Sequence, residues 1–165
     1  MKRLIMLLII STGLYSNSSF LLKEIYNDEN IKYISNNNPF DSRTLSGKNN
    51  LIVYADPDKK RDTEKLIDKL IQINVPESKL GKIFIINLAA TWLPNIIINS
   101  KIKSKQESNP EIIFVKDYQK VLVKEWKLKD DEVNIMLLDE NLKILFLKKG
   151  NIKDKDISAV IKIAK

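Results

Sequence analysis

Apolar residues follow two rhythms along this chain. Leu51-Ile52-Val53-Tyr54-Ala55, set between Asn49-Asn50 and Asp56-Pro57, and Lys82-Ile83-Phe84-Ile85-Ile86-Asn87-Leu88 are compact β-rich runs, as expected of strands covered on both faces. Between them Leu66, Ile67, Leu70 and Ile71 recur at helical spacing behind Asp62 and Thr63, either of which can accept hydrogen bonds from free amides at a helix start. The spacing predicts a helix from about Asp62 to Ile73, stopped before Pro76. Strand, helix, strand in this order needs a crossover, so the two strands should be parallel and the fold class α/β.

A second helical stretch opens at Trp92-Leu93-Pro94 and runs to about Gln106, with Pro94 in the first turn, where its missing amide costs little. Ser108-Asn109-Pro110 marks its end. Downstream, Ile112 to Val115, Val121 to Trp126, Val133 to Leu138 and Leu142 to Leu147 read as short strands, with Asp139-Glu140-Asn141 as the clearest hairpin connection. Ile157, Val160, Ile161 and Ala164 form one face of a terminal helix after the Gly150-Asn151 break. Upstream, residues 19–50 are mixed and polar, and Ile31 to Ile34 between turn signals predicts a strand or hairpin leading into the domain at 51–165.

Composition adds location and removes chemistry. With 44% hydrophobic and 30% charged residues, 165 residues suit one globular domain and are too apolar for a disordered chain. Met1-Lys2-Arg3 followed by Leu4 to Ile10 gives a positive start and an apolar stretch short for a bilayer span. It reads as a secretory signal, residues 1–18, cleaved after Ser18; Tyr15-Ser16 offers a second site, and an uncleaved anchor is the alternative. Removing Lys2 and Arg3 lowers the net charge from +7 to +5, too mild to point to nucleic acid. The chain has no cysteine, so neither disulfides nor thiol chemistry are available, and no histidine, the commonest metal ligand and general base.

The order strand, helix, strand, helix, antiparallel hairpin, terminal helix resembles the thioredoxin-like fold, a central mixed sheet flanked by helices. Val133 to Phe146, with Asp139 at its turn and Gly150 beyond, is similar to the hairpin of thioredoxin and peroxiredoxin relatives. Gly47-Lys48 before Leu51 to Ala55, the helix ending near Leu70, Ile113-Phe114-Val115-Lys116-Asp117 through Glu125-Trp126-Lys127-Leu128, and the Asp139 hairpin together resemble the YtfJ family of small exported bacterial proteins. That resemblance implies a thioredoxin-like fold, a periplasmic location in a Gram-negative cell, and no established activity.

In redox relatives of this fold the nucleophilic cysteine follows the first core strand. Here that loop is Asp56-Pro57-Asp58-Lys59-Lys60-Arg61. Lys59, Lys60 and Arg61 at a helix start could hold a phosphate or carboxylate, although a solvated charged turn is the preferred reading. The fold's second hallmark, a cis-proline before the hairpin, falls in Asp131-Glu132-Val133-Asn134, which has no proline. Asp130, Asp131 and Glu132 could meet a hard cation but lack the spacing that wraps one, so a solvated loop is preferred. Asp117 and Asp139 are assigned to turns. Trp126 is assigned to the core, and Trp92, in a loop beside Pro94, to a possible partner anchor.

The leading expectation is a non-catalytic periplasmic module that binds an envelope protein or peptide, using Asp56, Asp58, Lys59, Lys60, Arg61 and Trp92, with no cofactor, metal, nucleic acid or lasting membrane anchor. The rivals are a cysteine-independent enzyme using carboxylates or a bound cation, and a weak binder of envelope polyanions.

Overall fold

The computed structural model describes residues 22–59, 64, 66, 68, 69, 73, 75–91 and 94–165, without the side chains of 59 and 95. Seven strands form one mixed sheet: β1 (Asp28–Tyr33), β2 (Pro39–Phe40), β3 (Asn49–Ala55), β4 (Leu80–Asn87), β5 (Ile112–Asp117), β6 (Asn134–Leu138) and β7 (Ile144–Lys149), in the order β2-β1-β5-β4-β3-β6-β7. β3, β4 and β5 are parallel, as their buried runs require, and β6 returns antiparallel to β3 before turning into β7. β1 pairs antiparallel with β5, so the N-terminal hairpin belongs to the same sheet.

Alternation along the strands makes two core layers. Leu51, Val53, Phe84, Phe114, Ile135 and Leu137 face the side covered by Leu66, Ile98, Ile102, Ile157 and Val160. Ile52, Tyr54, Ile85, Val115, Met136 and Leu138 face the side covered by Ile25, Leu45, Leu122 and Trp126. Burying each such large side chain contributes about 1.5–3 kcal/mol, and this is how a chain without disulfides is held together. Helices α1 (Asn95–Ser108), α2 (Val121–Glu125) and α3 (Asp154–Ala164) accompany the sheet, with short 3-10 turns at Ser42–Leu45, Pro57–Lys59 and Leu88–Ala90. Of the helix expected from Asp62 to Ile73, Glu64, Leu66, Asp68 and Lys69 are helical and Ile73 is not; its other positions lie outside the described residues, as do 1–18.

Three local expectations change. Pro94 caps α1 instead of sitting within its first turn. The hairpin's second strand starts at Ile144, because Asp139 Oδ1 accepts from the amides of Asn141 and Lys143 and keeps 139–143 in the turn. Val121 to Trp126, predicted as a strand, is the single helical turn α2 with Trp126 closing it. The cause is Asp117, whose carboxylate accepts from the amides of Val121 and Leu122 at 2.9 and 3.0 Å and overrides the β-branched bias of Val121 and Val123.

Gly81 on β4 is fixed by a neighbour rather than by its backbone angles. Asn50, buried at 1% exposure, donates its amide to the carbonyls of Leu45 and Lys48, and this leaves Oδ1 pointing at Gly81. A Cβ at Gly81 would lie 2.3 Å from that oxygen. Gly81→Ala should therefore cost about 1–3 kcal/mol in urea unfolding; an unchanged midpoint would show that Asn50 moves aside freely.

Candidate functional site

The C-terminal ends of the three parallel strands carry polar residues at matching positions. Asn87 on β4 is the register partner of Asp117 on β5, and Asp56 follows Ala55, whose partner Ile86 precedes Asn87. Asp56, Asn87 and Asp117 thus end adjacent strands in one row, and all three are buried, as is Tyr54. Polar groups taken from water need partners, and their partners define what each does.

Asp117 is fully engaged. Oδ2 accepts from the Tyr54 hydroxyl at 3.2 Å and the Leu122 amide, and Oδ1 accepts from the amides of Gln119 at 3.2 Å and Val121. Burial first, then the charge of Asp117, pushes the Tyr54 phenol well above its ordinary range, so it stays protonated and donates. Asn134 on β6, in register with Tyr54, is also satisfied: its side chain accepts from the Lys129 amide and donates to the carbonyls of Lys129 and Glu132. It shapes the loop before the hairpin.

Asp56 opens the loop after β3. Its Oδ1 accepts from the Asp58 amide at 2.9 Å, and the short 3-10 turn Pro57–Lys59 follows. Asp58 reaches the other side of the loop cluster, with Thr91 Oγ1 3.5 Å from its Oδ1. Burial raises the Asp56 carboxyl above its ordinary range, opposed by the Asp58 amide; the charges of Asp58 and Asp131 raise it further and Lys120 lowers it. Lys120 holds Asp130 at 2.8 Å and Asp131 at 3.6 Å. The ammonium hydrogen bond lowers Asp130 and raises Lys120, an exposed pair of small energetic weight. Lys120, Lys127 and Asp131 all have positive φ, near 50–55°, a backbone that lysine and aspartate adopt at a cost.

Of the residues expected at a binding site, Asp56 and Asp58 come together, and Lys59 lies in the adjoining turn. Lys60, Arg61 and Trp92 lie outside the described residues. Trp126 packs in the core as expected, with its indole N–H donating to the Lys23 carbonyl at 2.9 Å. Glu132 faces Lys129 at 3.5 Å, and among the described residues no three carboxylates converge where they could hold a metal ion. Asp139 serves its own turn, away from Asp117. Sequence reading missed Tyr54, Asn87, Lys120 and Asn134, three of them hidden inside or at the end of apolar runs. The usable signal was Asn87 closing its run as Asp56 and Asp117 close theirs.

Apolar surface is also left at the start of α1. Thr91 leads through Pro94 into α1, whose first turn exposes Ile96 at 80% and Ile97 at 44%. The same helix buries Ile98 and Ile102 in the core, so its two faces are both apolar at this end.

Residues 22–165 match the family described as bacterial protein of unknown function (YtfJ_HI0045), and the chain belongs to it. No curated protein matches the sequence. Among solved structures, a thiol-disulfide isomerase from Corynebacterium glutamicum is similar with TM-score 0.63 and 13% identity over 89% of this chain and 96% of that one. Yeast Sco1 gives 0.60 and 16% over 87% and 96%. The exposed lipoprotein thioredoxin of Streptococcus pneumoniae gives 0.59 and 9% over 85% and 97%. At these identities the likeness establishes the thioredoxin-like fold.

Two substitutions separate scaffold from site. Asp117→Ala removes the acceptor of four donors and should cost about 3 kcal/mol or more in urea unfolding, with faster amide exchange in α2; a loss under about 1 kcal/mol would show that water replaces it. Asp56 titrates above its unfolded value, so its favourable contribution is full below the unfolded pKa and is lost as pH rises through the folded pKa. Asp56→Asn keeps an oxygen for the Asp58 amide and should raise Tm by a few degrees at neutral pH while leaving it unchanged in acid. A lower Tm at neutral pH would contradict this.

Proposed function

We propose that this member of the family is a non-catalytic thioredoxin-like module of the bacterial periplasm that binds a protein or peptide partner at the C-terminal ends of β3 and β4. The observation that carries the reading is the loop after β3. In the redox relatives of the fold this loop begins with a thiol; here it begins with the buried carboxylate of Asp56, which accepts from the amide of the exposed Asp58, in a chain without cysteine. A carboxylate held in a buried place against the cost of its ionisation is common where a protein keeps a group for recognition rather than for stability. Ile96 and Ile97, exposed in the first turn of α1, offer apolar contact area of the kind partner binding uses.

Export supports the same reading from the other end of the chain, where Lys2 and Arg3 precede the apolar stretch Leu4 to Ile10. With no thiol to form or break a disulfide, the chain can act on an envelope partner through binding alone along the thioredoxin route.

Insulin reduction and peroxide turnover by the purified chain should both be blank. Affinity capture from an envelope extract should retain a partner with the native chain and lose it with Ile96→Asp, a surface change that leaves Tm unaltered. Thiol-independent turnover, or identical capture by the variant, would contradict the proposal.

A further inference from the structure

Charge is divided unevenly along the chain. Residues 22–141 hold 19 Lys and Arg against 19 Asp and Glu, so they are neutral, while residues 142–165 hold seven lysines and two aspartates. The excess therefore lies on the C-terminal segment: Lys148 and Lys149 on β7, Lys155 and Lys162 on α3 with both aspartates, and Lys143, Lys153 and Lys165 just outside these two elements, which pack together at one edge of the sheet. Both aspartates are engaged: Asp154 pairs with Lys69 at 2.9 Å, and Asp156 accepts from the Lys153 amide at 2.9 Å and lies 4.0 Å from Lys148. Lys143, Lys153, Lys155, Lys162 and Lys165 are exposed and have no carboxylate at ion-pair distance among the described residues.

Helical geometry gathers three of these on one side. α3 buries Ile157, Val160 and Ala164 against the sheet. Lys155 and Lys162 are seven residues, two turns, apart on the opposite side, with Lys165 one turn on. Ile163 flanks them at 44% exposure. The neighbouring edge is unsuited to an added strand, because β7 is bulged near Leu145 and lined by Lys143 and Lys149.

The chemistry of the charges selects the partner. All seven cations are lysines, point charges on flexible stems rather than the fixed forks with which arginine picks out a single carboxylate or phosphate. Such a face suits a surface whose anions move laterally to meet it, and an exposed isoleucine among them can enter the headgroup boundary. We propose that the outer face of α3, Lys155, Lys162 and Lys165 with Ile163 beside them, seats this protein peripherally on an anionic phospholipid bilayer.

The test uses residues 22–165, which contain the whole sheet and both core layers, so that the N-terminal apolar stretch does not bind by itself. Cosedimentation with vesicles of phosphatidylcholine mixed with phosphatidylglycerol should show binding that pure phosphatidylcholine does not support and that salt abolishes. Replacing Lys155, Lys162 and Lys165 by Gln should weaken it about a hundredfold, roughly fivefold per lysine. Replacing Lys101, Lys103 and Lys105 of α1 by Gln removes the same charge and should change it by less than about twofold. Absence of binding to the mixed vesicles, equal losses in the two variants, or equal competition by soluble polyglutamate would overturn the proposal.

Discussion

The Asp117 carboxylate holds together the end of the sheet on which the functional reading depends. It is wholly buried at the end of β5 and takes the Tyr54 hydroxyl from β3 on one side and three amides of the 119–122 turn on the other. Without that acceptor the Leu122 amide and the Tyr54 phenol would be buried unmet, and the amides of Gln119 and Val121 would be left to water. With it, α2 forms, Leu122 and Trp126 reach the core, and Trp126 fastens the chain near Lys23 to the same face.

The strand ends are organised by Asp117, Asn134 and the Asp56 turn, which serve the backbone. Asp56 does so at a cost, since burial opposes its charge. The left-handed residues Lys120 and Asp131 lie close enough for their charges to act on it.

The central strands were legible in the sequence because burial on both faces leaves an unbroken apolar run. Leu51 to Ala55 and Lys82 to Leu88 could be placed, and made parallel, from that alone. The terminal helix was legible from Ile157, Val160 and Ala164, which the structure buries together. α2 was not, because the property that makes it a helix belongs to Asp117, a residue before it in the chain whose carboxylate reaches forward. Tyr54 read as one more apolar residue, and its hydrogen bond is to a residue 63 positions away. Local pattern reports which face a residue takes; it does not report which distant partner completes it.

The most direct test of the account is to map the captured envelope partner onto the protein by amide chemical-shift changes in an isotope-labelled sample. The account predicts changes concentrated at Asp56 to Asp58, at Leu88 to Thr91 and at the first turn of α1 through Ile97, with α3 unaffected. Changes confined to α3 and β7, or spread over the sheet without the Asp56 loop, would show that the strand ends are not the binding site.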